Sequence, residues 1–277
     1  MRVEFTKMHG VGNDFVVFDA PVPAELLSAS RLRALADRRT GIGFDQALLL
    51  EPPRRDECAA YYRIFNADGG EVEQCGNGAR CIAALLQRRG GAQDSRLTLE
   101  SPAGLIRAQL GEHGEVSVDL GVPDFDPRSL PFTAAAEAER HVLELDDGER
   151  VEIGAVSIGN PHAVLTVPSI ESAPVARLGP LIEQHARFPR RVNVGFLEIV
   201  SAARVRLRVF ERGVGETSSC GTGACAAVAV ARRRGLLDAR VHVEVRGGNL
   251  RVHWTGVGEH VWLTGGAEIS FEGHVEV

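Results

Sequence analysis

The chain has 277 residues, of which 44% are hydrophobic and 25% charged, a balance typical of a globular protein with substantial cores. Its net charge is −6 and its 31 Lys and Arg residues are scattered, which argues against nucleic-acid binding. No apolar run is long enough to span a bilayer, and charges interrupt the N-terminal segment. We therefore expect a cytoplasmic protein without a secretory signal or a membrane partner.

Most of the chain is predicted to form short strands separated by turn residues. The clearest strand patterns cover residues 15–19, 47–51, 63–66, 96–100, 104–110, 116–120, 163–167, 204–210, 241–245 and 250–254. Outer helices are predicted over 24–38 and 174–185, and the proline-containing segment 120–131 is predicted to cross between two halves. Two more helices are predicted to begin after Cys75 and Cys220 and to end before Gly90 and Gly235.

The two Cys-led helices belong to an internal repeat. Residues 75–90, CGNGARCIAALLQRRG, and residues 220–235, CGTGACAAVAVARRRG, are identical at half of their sixteen positions. This duplication predicts two similar domains. The N-terminal half, 1–121, carries Cys75 and is joined by a C-terminal strand over 266–277; the other half, 122–265, carries Cys220.

Both Cys-led helices are apolar on nearly every face, and a helix of this kind must be buried. Since strands dominate the rest of each half, the pattern predicts an α+β fold. We expect two pseudo-symmetric domains, each a curved, barrel-like β-sheet wrapped around a central buried α-helix.

Cys75 and Cys220 each stand at the start of a helix, where small neighbours let backbone N–H groups converge on one point. The positive end of the helix dipole adds to this field, so we expect the thiol pKa to fall from about 8.5 to roughly 3.5–7.5. The same N–H groups could hold a carboxylate, or the charge that develops when the carbon beside it loses a proton. Two such turns acting on one substrate would supply a base and an acid.

Other interpretations of these residues carry weight. A lone cysteine is usually a small buried hydrophobe, which is how we interpret Cys58, Cys81 and Cys225. The odd count of five and the spacings argue against a disulfide scaffold and a zinc site. Residues 221–226 match the dinucleotide motif G-x-G-x-x-A, but the first copy of the repeat breaks it. Pyridoxal phosphate enzymes need a lysine for the Schiff base, and Lys7 is the only lysine in the chain, so this cofactor is excluded unless Lys7 serves.

Six motifs, in order and nearly end to end, resemble the diaminopimelate epimerases. They are MHGVGNDF (8–15), GIGFDQ (41–46), FNADGGEVEQCGNGARC (65–81), GNPH (159–162), RVNVGF (191–196) and ERGVGETSSCGTGACAA (211–227). The resemblance implies an isomerase that interconverts LL- and meso-2,6-diaminopimelate without cofactor or metal, in lysine and peptidoglycan-precursor biosynthesis. It implies the same two-domain fold as the repeat does.

The resemblance also implies roles for individual residues. Cys75 and Cys220 become the acid–base pair, one removing the α-proton while the other protonates the opposite face. Arg212 would bind the far carboxylate of the substrate, and Glu211 with amide oxygens would bind the far ammonium. The implied contacts to the reacting carboxylate come from Gly76, Asn77, Gly221 and Thr222, and the remaining substrate contacts come from Asn13, Gln46, Asn66, Asn160, Asn193, Glu211 and Arg212.

Two further assignments follow from the resemblance, and some of the assigned residues also have an ordinary structural interpretation. His162 and Glu211 would modulate the pKa of the thiols, although His162 by itself would more often be a turn or core histidine. Asn13 and Asn160 each follow a glycine and could simply be turn residues. Phe271 matches the aromatic dimer contact of the family, so a homodimer is implied.

Two rival functions stay open. A proline or hydroxyproline racemase uses paired cysteines on the same kind of scaffold, although Glu211, Arg212 and the asparagines favour a longer substrate that is zwitterionic at both ends. A thiol redox protein without catalytic function could instead join Cys75 and Cys220 in a switchable disulfide.

Overall fold

The computed structural model describes residues 1–72, 75–90, 95–111 and 114–277, and it divides the chain into two compact units. The first unit comprises Met1–Val118 and Gly265–Val277, and the second comprises Asp119–Thr264. Strands account for most of the regular structure in each unit. None of the described helices combines the length and the apolar character needed to cross a bilayer.

Eighteen strands and four α-helices lie in the described residues. The strands are β1 (Arg2–Gly10), β2 (Asn13–Asp19), β3 (Gln46–Glu51), β4 (Ala60–Asn66), β5 (Glu71–Val72), β6 (Arg96–Ser101), β7 (Gly104–Leu110), β8 (Glu115–Asp119), β9 (His141–Glu144), β10 (Arg150–Ser157), β11 (Pro161–Thr166), β12 (Asn193–Ser201), β13 (Arg204–Glu211), β14 (Gly215–Thr217), β15 (Arg240–Val245), β16 (Gly248–His253), β17 (Trp262–Gly266) and β18 (Glu268–Glu276). The helices are α1 (Ala29–Ala36), α2 (Gly76–Arg88), α3 (Val175–Glu183) and α4 (Gly221–Arg233).

The two units repeat one strand topology. In the first, β1 and β2 are antiparallel, β2 and β3 parallel, β3 and β4 antiparallel, β4 and β6 parallel, and β6, β7 and β8 antiparallel. In the second, β10 to β13 and β15 to β17 repeat these pairings in the same order. Parallel neighbours need a crossover connection. The helices α1 and α2 provide it in the first unit, and α3 and α4 provide it in the second.

The helices α2 and α4 are the buried centres of their units. Ten of the thirteen residues of α4 are buried, and Ala224–Ala231 has almost no exposed surface. Helix α2 is buried over its first two turns in the same way. Each helix ends at a glycine in the left-handed region, Gly90 with φ 75° and Gly235 with φ 73°, which a side chain would disfavour. The predicted fold, two similar α+β domains built around central buried helices, is confirmed.

Some predicted elements differ from the structure. The helix predicted over 24–38 is a short 3-10 turn over Ala24–Leu27 followed by α1, because the Ser28 side chain caps α1 by accepting from the backbone N–H of Arg31. Strand β1 was not among the predicted strands, although its exposed Arg2 and Glu4 alternate with the buried Val3 and Phe5. Its Lys7 is nonetheless buried, paired with Asp14.

We expect Gly154→Ala to lower the free energy of unfolding by about 1–3 kcal/mol, the usual cost of overpacking a core. Gly154 lets β10 approach α4 closely, because a Cβ here would lie 2.3 Å from Cγ1 of Val230. Gly266→Ala is the matched control, since its Cβ would meet no atom within 4 Å. Urea unfolding measures both, and equal midpoints for the two variants would contradict this packing.

Candidate active site

Each repeated cysteine is the N-cap residue of the central helix in its unit. Cys75 has φ −146° and ψ 112°, and Cys220 has φ −125° and ψ 109°, the extended backbone typical of an N-cap. The backbone N–H of Gly78 donates to Sγ of Cys75 at 3.5 Å. Gly223 occupies the same place after Cys220, and its added Cβ would lie 3.0 Å from Val209 on β13. Glycine therefore lets the helix start lie directly against the sheet.

In the first unit, Cys75 belongs to a polar cluster. Its Sγ lies 3.9 Å from Oδ1 of Asn13, and the same oxygen accepts from Nδ2 of Asn77 at 3.2 Å. Asn13 in turn donates from Nδ2 to Oδ2 of Asp45 at 2.9 Å. The guanidinium of Arg80, fully buried in α2, donates to Oδ1 of Asn77 at 2.6 Å. Two amides therefore link the thiol to one buried cation and one carboxylate.

Gln46 and Asn66 face each other on β3 and β4. Nε2 of Gln46 donates to Oδ1 of Asn66 at 2.8 Å, while its Oε1 is buried without a hydrogen-bond partner in the described part of the chain. The hydroxyl of Tyr62, on the same strand as Asn66, is likewise buried without a described partner. Burial raises the pKa of Tyr62, so its hydroxyl stays protonated. Gln46 thus has an acceptor oxygen ready for a ligand donor.

In the second unit, Asn160 connects His162 to the turn at Cys220. Oδ1 of Asn160 lies 2.9 Å from Nε2 of His162, and its Nδ2 donates to Oγ1 of Thr222 at 3.4 Å. Oγ1 of Thr222 lies 3.6 Å from Sγ of Cys220. Burial, with a smaller contribution from the charge of Arg212, lowers the pKa of His162 to about 3. The imidazole is therefore neutral at physiological pH.

The expected low pKa is wrong for Cys220. Burial and, after it, the negative charge of Glu211 raise the pKa of this thiol well above its ordinary value. The Thr222 hydroxyl and the N–H of Gly223 act in the opposite direction but are weaker. Glu211 itself accepts a 2.5 Å hydrogen bond from Oγ1 of Thr217. Burial and the charge of Glu211 thus outweigh these two hydrogen bonds, and the raised pKa favours the protonated thiol of Cys220.

Arg212 follows β13 in a turn that is held from two sides. Its backbone N–H donates to Oδ1 of Asn193 at 3.0 Å. The next N–H, that of Gly213, donates to Oε1 of Glu183 at 2.9 Å. Glu183 is only 3% exposed although it ends α3, where the helix dipole disfavours a carboxylate. Helix α1 of the first unit ends instead at Ala36, whose side chain cannot accept a hydrogen bond in this way.

The structure gives each unit its own cluster of predicted site residues. The first unit holds Asn13, Gln46, Asn66, Cys75, Gly76 and Asn77, and the second holds Asn160, His162, Asn193, Glu211, Arg212, Cys220, Gly221 and Thr222. Phe271 lies apart from both, on β18, 49% exposed and edge-on to Phe5 with the ring centroids 6.0 Å apart.

Sequence reasoning missed three charged residues that hold these clusters, namely Asp45, Arg80 and Glu183. Arg80 carried a signal, because an arginine within an otherwise apolar helix must find polar partners. No sequence signal pointed to Asp45 or Glu183, since each acts through contacts with residues distant in the chain.

The model of the family described as "Diaminopimelate epimerase" matches residues 5–125 and 154–270. The diaminopimelate epimerases of Alkalilimnicola ehrlichii and Thioalkalivibrio sulfidiphilus are 52% and 53% identical to this chain, each over 279 residues and covering 100% of both chains. A crystal structure of a hydroxyproline epimerase from Agrobacterium vitis with bound trans-4-OH-L-proline shares the fold, with a TM-score of 0.71, 19% identity, and coverage of 99% of this chain and 92% of that one. The chain belongs to the diaminopimelate epimerase family.

Proposed function

We propose that this isomerase interconverts LL- and meso-2,6-diaminopimelate, with Cys75 and Cys220 as its two acid–base groups. Family membership supports the substrate. The observation that carries the mechanism is the repeat itself, which places a cysteine at the N-cap of a buried helix in each unit. We assign the product to lysine and peptidoglycan-precursor biosynthesis.

The proposed reaction moves one proton off the α-carbon and another onto its opposite face. A thiolate takes the α-proton and becomes a thiol, while the other thiol gives its proton to the carbanion and becomes a thiolate. Backbone N–H groups at each helix start, which have no partners within the helix, stabilise the charge that develops on the carboxylate. The raised pKa of Cys220 supports this residue as the protonated member of the pair and Cys75 as the base.

Three further features complete the proposal. The chemistry uses no cofactor, because the thiols and the helix starts supply both the proton transfers and the electrostatic stabilisation. The enzyme acts in the cytoplasm as a homodimer, and the exposed ring of Phe271 on β18 supports an interface on this strand. The domain boundaries are proposed after residues 121 and 265, within three residues of the limits of the two compact units, with each domain supplying one thiol.

The purified enzyme is expected to convert LL-diaminopimelate to the meso isomer in reductant without added pyridoxal phosphate, and to leave proline unchanged. Cys75→Ser and Cys220→Ser should each abolish conversion, because a serine hydroxyl is far too weak a base at neutral pH. Cys58→Ser is the control and should be nearly silent, since Cys58 is a buried residue outside both clusters. Turnover of proline would refute the substrate, and full activity in either of the first two variants would refute the pair.

We expect Arg212→Met to reduce kcat/KM by at least about 100-fold, because a charge-assisted carboxylate contact of roughly 3 kcal/mol or more is lost. The pH profile should keep its shape, because the thiols are untouched. Arg190→Met is the control, since the Arg190 side chain is exposed and only its backbone carbonyl contacts Arg212. Normal kinetics in Arg212→Met would mean that the far carboxylate is bound elsewhere.

The buried His162 should make stability depend on pH in a defined window. Its pKa is about 3 in the folded chain, whereas an unfolded histidine titrates near pH 6.5, so the unfolded state binds more protons between these values. Wild-type stability should therefore fall relative to His162→Gln as the pH drops from about 6 to 4, by up to about 1.4 kcal/mol per unit. Urea unfolding at several pH values measures this, and a pH-independent difference would contradict the buried, neutral histidine.

A further inference from the structure

A hydrogen-bonded chain of two amides runs through the first unit between opposite charges. Arg80 donates from Nη2 to Oδ1 of Asn77 at 2.6 Å, and Asn77 donates from Nδ2 to Oδ1 of Asn13 at 3.2 Å. Asn13 then donates from Nδ2 to the carboxylate of Asp45 at 2.9 Å. Asn77 and Arg80 are almost fully buried, so water competes little for the bond between them, whereas the bond from Asn13 to Asp45 is exposed.

The charges at the two ends fix the direction of every bond between them. A guanidinium can only donate and a carboxylate can only accept, whereas a side-chain amide has one donor end and one acceptor end. Arg80 therefore forces the oxygen of Asn77 toward itself, and Asp45 forces the NH2 group of Asn13 toward itself. Neither amide can turn over without placing two donors or two acceptors face to face.

Asp45 is itself held in place by other charged groups. Nη2 of Arg38 donates to its Oδ1 at 2.7 Å, and the backbone N–H of Asp14 donates to its Oδ2 at 3.1 Å. Arg38 also binds the carboxylate of Asp14, which pairs with the buried Lys7. The carboxylate at the end of the chain is therefore held by Arg38 and by the backbone N–H of Asp14, although its side chain is 43% exposed.

The fixed orientation of the Asn13 amide determines which atom faces Cys75. Oδ1 of Asn13 faces Sγ at 3.9 Å and can only accept a hydrogen bond, so it favours the thiol over the thiolate. The matching chain in the second unit ends on a neutral imidazole, His162, and on the hydroxyl of Thr222. Both of these groups can exchange donor and acceptor roles, so only the Cys75 side has a fixed polarity.

We propose that Asp45 and Arg80 are positioning residues that lock the amides of Asn13 and Asn77, so that an acceptor oxygen always faces Cys75. This oxygen raises the basicity of Cys75. Once the thiolate has taken a proton from substrate, the oxygen accepts a hydrogen bond from the new S–H group. The inference rests on the proposed function only in treating Cys75 as the reacting base.

Several titratable or charged groups surround Cys75 and enter any measurement of its ionisation. Helix α2 contributes Arg80 and Cys81, strand β4 contributes Tyr62, and Asn13 leads to the cluster around Asp45. Burial raises the pKa of Cys81 to about 12 and that of Tyr62 higher still, so both stay protonated while Cys75 titrates. The pKa of Cys58 is also raised, first by burial and then by nearby carboxylates.

The test is a titration of Cys75 in the full-length Cys220→Ser protein, followed by the ultraviolet absorbance of the thiolate. Asp45→Asn preserves shape but frees the Asn13 amide to turn its NH2 group toward sulfur, so the pKa of Cys75 should fall by about one unit. Loss of the Asp45 charge alone would also lower this pKa. Asp45→Asn is therefore repeated in an Asn13→Ala background, where we expect most of the shift to disappear. Equal shifts in both backgrounds, or none in either, would overturn the proposal.

Asp37→Asn is the matched control in the same loop, because its carboxylate binds Thr40 rather than Asn13, and it should leave the titration unchanged. A second measurement needs no change at Asp45. In selectively labelled Cys220→Ser protein, the NMR signals of the Asn13 NH2 group should stay constant while Cys75 ionises, since the group remains on the carboxylate. A change in these NMR signals typical of a new hydrogen bond from the NH2 group to sulfur would overturn the proposal that the amide is locked. Neither measurement requires turnover, so a wrong substrate would not affect them.

Discussion

The proposed chemistry depends on the burial of two helices, each with a cysteine as its N-cap residue. The apolar sides of α2 and α4 fix each helix within its sheet, and this burial holds the orphan N–H groups of the first turn in one direction. The glycines after each cysteine leave room for that turn against the strands. Burial also has a cost for the thiol, since desolvation favours the protonated form. Burial is the main reason that the pKa of Cys220 is raised.

The backbone repeats between the units, but the side chains around the two thiols do not. On the Cys75 side the polar chain runs between a guanidinium and a carboxylate. On the Cys220 side it ends on a neutral histidine, and the strand next to it brings Glu211 close to the thiol. The proposed two-base reaction uses one acid–base group on each face of the α-carbon. The two groups need not have the same proton affinity, and in a coupled pair the apparent pKa values belong to the pair.

The sequence predicted the features that depend on short, local residue patterns. The repeat, the two helices and the glycines that end them all follow from short patterns, and the strand alternation located most of the sheet. The repeat also singles out Cys75 and Cys220 independently of the resemblance. Strand β1, which pairs on both sides with β2 and β18, was missed although its first residues alternate between exposed and buried.

The sign of the Cys220 pKa shift could not be read from the sequence, because it depends on how deeply the thiol is buried and on where Glu211 lies. The roles of Asp45 and Glu183 could not be predicted either, since each depends on contacts with residues distant in the chain.

The central claim, that two thiols share the proton transfers, is tested most directly by following isotope in deuterium oxide at low conversion of LL-diaminopimelate. With two bases, the meso product should carry solvent deuterium at the inverted carbon while the remaining LL isomer is still unlabelled. A meso product that retains the original hydrogen would show that one base performs both transfers, and would contradict the account.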